Sequence, residues 1–321
     1  MTKTLISFVI PHRGREQYLQ QTINSIKLQK IDLSLIEVII VTQNDQLSEK
    51  TLAFSNYLKL SVYPRPGTDS ISSLRNHGAE NAKGEYLAFI DADICLSPNW
   101  TRQMLEELQK INSGRVLVSA VQDNSQNAKS VERIRTALNN ISEDSNVDSL
   151  HGSNLFLKSE TFITAGGFPA ELKTCEDVYF TNQVSKLGVL FLSSKATFIH
   201  LGEDRSYRDM FRKEIWRGLS NLQSVHGRKV PIRELPSILI PVILMLLFIS
   251  SLSLFLMGQF MPAVISTLVL ILPVCAYAIR LQKHSEDQNI RFIDSLVFYM
   301  VYFSARSVGS YKGLYVSLMK T

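Results

Sequence analysis

The stretch Tyr86-Leu87-Ala88-Phe89-Ile90-Asp91-Ala92-Asp93 is an apolar run that ends in two carboxylates one residue apart. A buried strand with this ending would place both carboxylates at the carboxyl edge of a sheet, where open α/β sheets bind their ligands. Carboxylates at this spacing can share one divalent cation, and such a cation commonly holds a diphosphate. The pattern indicates chemistry on a nucleoside diphosphate. Taken alone, it is also consistent with a plain turn, because Asp tolerates turn geometry.

Short apolar runs alternate with amphipathic stretches on both sides of this strand. We predict strands at residues 5–10, 36–41, 60–63, 86–90, 116–121, 150–158 and 189–192, and helices at 16–28, 47–58, 70–82, 98–111, 159–165, 176–187 and 205–225. Strands that alternate with helices predict an α/β fold with a mostly parallel sheet and right-handed crossovers. The polar stretch 122–147, with a helical fragment at 131–138, is expected to be an excursion over the site.

Five segments of this region follow one another in a characteristic order. They are residues 8–13 (Phe-Val-Ile-Pro-His-Arg), residues 37–41, Arg75-Asn76-His77-Gly78 with Ala82-Lys83-Gly84, Asp91-Ala92-Asp93, and Gly166-Gly167-Phe168 followed by Glu176-Asp177. Their order and spacing resemble the family 2 glycosyltransferases of the GT-A fold, specifically the membrane-attached bacterial kind, over roughly residues 4–225. The resemblance implies a GT-A, Rossmann-like nucleotide-diphospho-sugar transferase domain at 1–225.

The resemblance also implies a set of residues that bind the donor nucleotide. These are Pro11, Arg13, Gln43, Arg75, Asn76 and Asp91. Arg suits a phosphate because its planar fork makes paired hydrogen bonds, although an ordinary surface role is the alternative for both arginines. Gln43 stands where the family usually carries a carboxylate, and its amide could still bind a uracil edge or a ribose hydroxyl. The alternative for this segment is a plain polar turn.

A metal site and a catalytic base are implied in the same way. Asp93 would ligate Mg²⁺ or Mn²⁺, Asp91 would contact the ribose or act through water, and His200 would be a further metal ligand or touch the diphosphate. Such a cation neutralises charge on the leaving diphosphate. Asp177 would be the general base and Glu176 would orient it or bind the acceptor, which predicts direct displacement with inversion. The alternatives are acidic residues that stabilise a helix start and a structural histidine.

Two uncharged runs, at 237–257 and 259–279, are each long enough to cross a bilayer as a helix. Their short connection predicts a transmembrane hairpin at 237–280, preceded by a basic juxtamembrane linker at 226–236. Lys and Arg flank the pair but are missing from its turn, so both flanks are expected in the cytoplasm. The alternative is a pair of buried core helices. Residues 281–321 are expected to hold an interfacial helix at 290–308, or a third span, and a C-terminal tail.

Charge and cysteine content restrict the remaining possibilities. The net charge is +5, and no basic stripe with interleaved aromatics suggests nucleic-acid binding. The three cysteines lack metal-ligand spacing, which suits a reducing compartment, and the apolar run 5–10 does not resemble a secretory signal. These features predict a multi-pass protein of the bacterial inner (plasma) membrane with a cytoplasmic catalytic domain.

The expected partners are a nucleotide-diphosphate sugar donor, UDP-linked rather than GDP- or dTDP-linked, and a lipid-linked or glycan acceptor near the membrane. The main alternative is a catalytically inactive, glycosyltransferase-like membrane scaffold. Gln43 supports that alternative, whereas the retained carboxylates Asp91, Asp93 and Asp177 oppose it. A small transporter or channel subunit is disfavoured because both predicted spans lack ionisable residues.

Overall fold

The computed structural model describes residues 4–172, 174–219, 235–285 and 289–318. The chain forms two compact units. The first consists of Met1–Ser125 and Ser142–Glu203, and the second of Gln126–Ile141 and Asp204–Thr321. The predicted domain boundary at residue 225 and most of the predicted linker lie outside the described residues.

The described residues form nine strands and eleven α-helices, with two short 3-10 segments in addition. The strands are β1 (Ile6–His12), β2 (Ile36–Thr42), β3 (Lys59–Pro64), β4 (Tyr86–Ile90), β5 (Ile94–Leu96), β6 (Arg115–Asp123), β7 (Ser145–Val147), β8 (Asn154–Lys158) and β9 (Val189–His200). The helices are α1 (Glu16–Lys27), α2 (Glu49–Leu52), α3 (Ile71–Glu80), α4 (Trp100–Leu108), α5 (Ser130–Asn139), α6 (Ser159–Thr164), α7 (Glu176–Val184), α8 (Tyr207–Gly218), α9 (Leu235–Leu256), α10 (Phe260–His284) and α11 (Phe292–Leu318).

The strands of the first unit form one sheet in the order β3-β2-β1-β4-β8-β6-β9-β5, with β7 also paired to β9. Strands β1 to β4 pair in parallel, as expected. Beyond β4 the sheet is mixed, because β8 runs antiparallel to both β4 and β6. The expectation of a mostly parallel sheet is therefore wrong for this half. Apolar runs identify buried strands, but they carry little information on strand direction.

Two apolar layers cover the opposite faces of this sheet. On one face, α1 and α4 bury residues such as Ile23 and Trp100 against Phe8 of β1. On the other, Phe89 of β4 packs with Phe180 of α7. Helix coverage on both faces explains why β1, β2 and β4 are buried along their whole length. The carboxyl end of β4, with its acidic tripeptide, is thereby held on a rigid frame.

The second unit contains α5 and helices α8 to α11. The predicted pair of apolar helices is present as α9 and α10. The turn between them includes Gly258 at φ +74°. Stretches Ile238–Leu256 and Phe260–Lys283 are long and apolar enough to cross a membrane, and both are mostly exposed. Helix α11 is longer than the expected 290–308 helix and packs against α8, α9 and α10.

Helix α5 differs from the expected excursion over the site. Its apolar residues Val131, Ile134 and Ala137 belong to the same core cluster as Met210 of α8 and Phe298 of α11. An amphipathic helix buries its apolar stripe, and here that stripe lies in the core of the second unit. We therefore correct the expectation: α5 is a structural helix of that unit.

Candidate active site

Arg75 connects carboxylates from distant parts of the first unit. It lies on α3 and is only 1% exposed. Its Nη2 donates to Asp91 Oδ1 at 2.8 Å and to the Gly152 carbonyl at 3.1 Å, while Nη1 donates to Glu176 Oε1 at 3.0 Å. Burial lowers the pKa of Arg75, but the attraction of Asp91 and Glu176 outweighs burial and raises that pKa. The guanidinium of Arg75 therefore stays charged although it is buried.

The described bonds of Arg75 are with protein groups, and its predicted contact with the nucleotide phosphates stays a prediction. The enclosed guanidinium is bonded to two carboxylates and so holds acidic residues in place. The side chain also lies 5.1 Å from the centre of the Phe168 ring. The sequence singled out Arg75, but it did not predict these bonds to Asp91 and Glu176.

Glu176 and Asp177 begin α7, directly after Cys175, whose φ of +63° is left-handed. Asp177 Oδ2 accepts from the Gly152 N–H at 3.0 Å, and its Oδ1 accepts from the Val178 N–H at 2.8 Å. Burial and the neighbouring charge of Asp177 raise the pKa of Glu176, against the opposing effect of Arg75. The backbone of Gly152 thus bonds to Arg75 through its carbonyl and to Asp177 through its amide.

Asp93 lies in the loop between β4 and β5 and faces two basic groups. Its Oδ1 is 3.2 Å from His200 Nε2, and its Oδ2 is 3.3 Å from Arg15 Nη2. His200 comes to this position because β9 pairs with β5, with His200 opposite Ile94. On its other side, His200 Nδ1 is 3.1 Å from Glu203 Oε2. The structure therefore brings together Asp93 and His200, two of the predicted metal residues.

His200 is charged in this arrangement. Burial lowers the pKa of His200, but its hydrogen bonds to Asp93 and Glu203 outweigh burial and raise that pKa to about 10. Gly202 approaches the same carboxylate so closely that a Cβ atom built on it would overlap Asp93 Oδ2. A residue without a Cβ atom is therefore needed at position 202 for Asp93 to occupy its present position.

The donor atoms around Asp93 fit a divalent cation bound jointly with a diphosphate. Within the described residues, no group of three or more His, Cys, Asp or Glu side chains forms a complete metal site. Mg²⁺ commonly takes only one or two carboxylates, with substrate phosphates and waters completing its shell. Asp93 offers oxygen, and His200 would offer Nε2 once a cation has displaced the proton on that nitrogen, with Glu203 holding the other ring nitrogen in the manner of metal-bound histidines. Asp91 Oδ1 accepts the bond from Arg75, which leaves the other carboxylate oxygen of Asp91 for a ligand.

The loop after β1 contains a residue that the sequence analysis missed. Arg13 is exposed, whereas Arg15 reaches Asp93. Between them, Gly14 adopts φ +80° and exchanges two hydrogen bonds with the side chain of Asn44. The pattern Arg-Gly-Arg was the available signal, since a left-handed glycine redirects the chain between the two arginines. The predicted nucleotide contact of Arg13 remains a prediction.

Pro11 differs from its predicted position at the end of the first strand. It lies inside β1, buried and opposite Val41 of β2, and the strand continues to His12. Pairing of β1 with β4 ends at Val9. The N–H that proline lacks would face that unpaired side, so the strand tolerates it there.

Gln43 and Asn76 are both engaged with the backbone of the first unit. Gln43 Nε2 donates to the carbonyls of Pro66 at 2.8 Å and Asp69 at 2.9 Å, so its Oε1 is the atom available to a ligand. Asn76 donates to the Phe168 carbonyl at 2.8 Å and accepts from the Phe168 N–H at 2.9 Å. These paired bonds let Asn76 hold this loop, and its predicted contact with the nucleotide stays a prediction.

Comparisons with known proteins identify the family of this chain. Residues 7–168 match the family model described as Glycosyl transferase family 2. Glycosyltransferase AglE of Haloferax volcanii is 24% identical over 236 residues, which cover 70% of this chain and 75% of that protein. Minor teichoic acid biosynthesis protein GgaB of Bacillus subtilis is 32% identical over 96 residues, covering 28% of this chain but only 10% of GgaB.

Solved structures show the same fold at low sequence identity. Mannosyltransferase PcManGT from Pyrobaculum calidifontis, in complex with GDP-Man and Mn²⁺, has a TM-score of 0.57 and 14% identity, covering 95% of this chain and 86% of that one. TarS of S. aureus has a TM-score of 0.52 and 17% identity, covering 94% of this chain and 55% of TarS. The likeness to both is one of fold.

Proposed function

Because this chain belongs to glycosyl transferase family 2, we propose that it transfers a sugar, with inversion, from a nucleoside diphosphate donor to an acceptor hydroxyl. The observation that carries the proposal is the bonding of Arg75 to Asp91 after β4 and to Glu176 at the start of α7. This links the predicted donor-binding loop to Glu176, the residue beside the predicted base Asp177. Direct displacement needs one base and forms no covalent sugar intermediate. These residues can supply that base.

Asp177 is the general base of this proposal. Its carboxylate accepts two backbone N–H bonds at a helix start, which stabilise the anion and fix its direction. An ionised, oriented carboxylate can take the proton from the acceptor hydroxyl as the hydroxyl attacks the anomeric carbon. Glu176, bonded to Arg75, positions the start of α7 and lines the acceptor side.

Asp93 and His200 would hold Mg²⁺ or Mn²⁺ against the donor diphosphate. When bound, the cation supplies Lewis-acid stabilisation of the charge that develops on the leaving nucleoside diphosphate. Arg15, which already lies beside Asp93, adds a cationic side chain for the same phosphates. Glu203 keeps the His200 ring oriented towards Asp93.

We propose a UDP-sugar as the donor. Both amide hydrogens of Gln43 are directed to backbone carbonyls, so Gln43 Oε1 would accept a hydrogen bond from the uracil N–H or a ribose hydroxyl. Structures of TarS with UDP and with UDP-GlcNAc support this choice. PcManGT, with its GDP-Man, makes a GDP-sugar the comparison donor in any test.

The acceptor we propose is a lipid-linked or polysaccharide hydroxyl at the cytosolic face of a bacterial inner membrane. The two apolar helices of the second unit support attachment to a bilayer. The similarity to a teichoic acid biosynthesis protein supports a surface-polymer acceptor.

A hydrolysis screen tests the proposal. Purified full-length chain is incubated with a panel of UDP-, GDP- and dTDP-sugars, with Mn²⁺, Mg²⁺ or chelator, and release of nucleoside diphosphate is measured. We expect release from a UDP-sugar that depends on the metal. Asp93→Ala and Asp177→Asn should each reduce transfer by at least about a hundredfold.

Asp32→Asn is the matched control, because Asp32 is exposed and Asn also caps helices. Undiminished transfer by a folded Asp177→Asn variant would contradict the assignment of the base. A product that keeps the anomeric configuration of the donor, read by NMR, would contradict inversion.

A further inference from the structure

The second unit contains a cavity of about 380 Å³ that the proposed reaction does not use. Three of its lining side chains are cationic, namely Lys129, Arg133 and Arg205. Hydroxyl groups are supplied by Ser130, Ser206 and Tyr207, and no carboxylate is among the described residues that line it. The volume lies in the range of small-molecule sites.

The three cations of this cavity differ in their ion pairing, and two carboxylates lie close by, because Glu132 faces Arg205 and Asp294 bonds to Ser130. Neither Lys129 nor Arg133 forms a side-chain ion pair within the described part of the chain. Arg205 is 4.0 Å from Glu132 Oε2, at the outer limit of an ion pair, and its side chain is 59% exposed. Three cations around one concave space favour a bound anion.

The hydroxyl groups, by contrast, already have partners. Ser206 caps α8 by accepting from the Asp209 N–H and also donates to the Asp209 carboxylate. The Tyr207 hydroxyl donates to the Asp294 carbonyl. The N-cap residue of α5, Lys129, makes no side-chain cap bond, while Glu132 supplies a negative charge in the first turn of that helix.

The cavity lies beside one end of a candidate membrane span. Residues Val131 and Ile134 of α5 share a core cluster with Ala278 and Leu281, near the C-terminal end of α10. That end also carries Lys283, the last residue of the apolar stretch Phe260–Lys283. Phosphate headgroups occupy this level when such a helix crosses a bilayer, and basic pockets between helices there recognise them.

We propose that this cavity binds the phosphate of an anionic lipid headgroup, with Lys129, Arg133 and Arg205 as its contacts. Inorganic phosphate shares the chemistry but lacks the acyl chains that would hold a lipid next to α10. The proposal concerns the second unit alone and is independent of sugar transfer.

Thermal melting of the full chain in a nonionic detergent tests the proposal. Phosphatidylglycerol, phosphatidylcholine and sodium phosphate are titrated separately, and the rise in melting temperature gives the half-saturating concentration. We expect a saturable rise with phosphatidylglycerol only. In Lys129→Gln/Arg133→Gln, the half-saturating concentration should rise by about tenfold or more.

The matched control is Arg208→Gln/Arg212→Gln, which removes two exposed charges from α8 outside the cavity. It should titrate like the wild type, and both variants should melt normally without lipid. Equal titration of Lys129→Gln/Arg133→Gln and wild type would overturn the site. An equal response to phosphatidylcholine, or a response to sodium phosphate without one to phosphatidylglycerol, would overturn the lipid headgroup as the ligand.

Discussion

At the scale of single residues, the candidate site depends on the buried guanidinium of Arg75. Removing a buried charge leaves its partners uncompensated, and such losses cost about 3 kcal/mol or more. We expect Arg75→Gln to lower the apparent free energy of unfolding by about 3 kcal/mol and to abolish transfer, because Asp91 and Glu176 would repel each other. Chemical denaturation and donor hydrolysis provide the measurements.

The control for Arg75 is Arg102→Gln, which breaks an exposed pair with Glu106. Such pairs contribute about 0–1 kcal/mol, so this variant should keep near-normal stability and activity. If Arg75→Gln were as stable and active as Arg102→Gln, the proposed role of Arg75 would be wrong.

Gly202 provides a second prediction at this scale. A Cβ atom at this position would displace the Asp93 carboxylate. We expect Gly202→Ala to raise the half-saturating Mn²⁺ concentration for donor hydrolysis by about tenfold. The melting temperature should change little, because Gly202 does not have a positive φ angle and the substitution removes no core contact.

Gly67→Ala is the matched control, since a Cβ atom there meets nothing within 4 Å. It should leave the Mn²⁺ dependence unchanged. A Gly202→Ala enzyme with wild-type Mn²⁺ dependence would show that Asp93 does not bind the metal in its present position.

At the scale of elements, Glu214 joins three helices of the second unit. From α8 its carboxylate accepts from Arg135 of α5 at 2.5 Å and from Arg306 of α11 at 2.6 Å, and it also bonds to Arg217. Burial raises the pKa of Glu214, but the three arginines outweigh burial and lower that pKa to about 2. The lowered pKa makes the packing of these helices dependent on pH.

The sign of this dependence follows from proton binding. Below about pH 4.5 the unfolded chain binds a proton that folded Glu214 rejects, so its stabilisation is present above that pH and disappears as the pH falls towards 2. The difference in pKa corresponds to about 3 kcal/mol. We expect Glu214→Gln to melt below the wild type at pH 7, with the gap narrowing between pH 4.5 and pH 2.

Melting temperatures measured across this range provide the test. Glu106→Gln is the matched control, because Glu106 is exposed and, among the residues that the structure describes, pairs with exposed Arg102 alone. A gap between Glu214→Gln and wild type that stays constant with pH would show that charge at Glu214 does not stabilise these helices.

The elements also show how far the sequence could predict the structure. The GT-A fold class and the family were correctly predicted, because buried strands and their acidic endings leave a clear pattern, as at residues 86–93. The span expected to be helical at 47–58 contains only α2 and a 3-10 segment. Its propensity was helical, but propensity is a weak guide where tertiary contacts decide.

Side-chain partners were less predictable than elements. Arg75 and Asn76 were identified as important, yet their bonds run to Asp91, Glu176 and Phe168. These partners come from other segments, so their contacts depend on tertiary packing that local spacing does not encode. Arg15 was missed for the same reason, since the conformation of Gly14 determines which arginine reaches Asp93.

At the scale of the whole molecule, the chain alternates between two units in sequence. It leaves the first unit after Ser125, contributes α5 to the second, returns at Ser142 and leaves again after Glu203. Both ends of the segment Gln126–Ile141 therefore continue into the first unit, while its apolar side lies in the core of the second unit. The core of the second unit thus includes a segment that lies, in the sequence, between the two parts of the first unit.

The orientation of the chain in a membrane is the last prediction. The turn between α9 and α10 carries no Lys or Arg, whereas basic residues flank the pair, so the turn should face away from the cytoplasm. In a background with Cys95, Cys175 and Cys275 replaced by Ser, single cysteines are placed at exposed Gln259 and Lys110. An impermeant maleimide should label Gln259→Cys in intact bacterial spheroplasts, and Lys110→Cys only after lysis. Equal labelling of both before lysis, or of Lys110→Cys alone, would contradict a cytosolic first unit and a spanning hairpin.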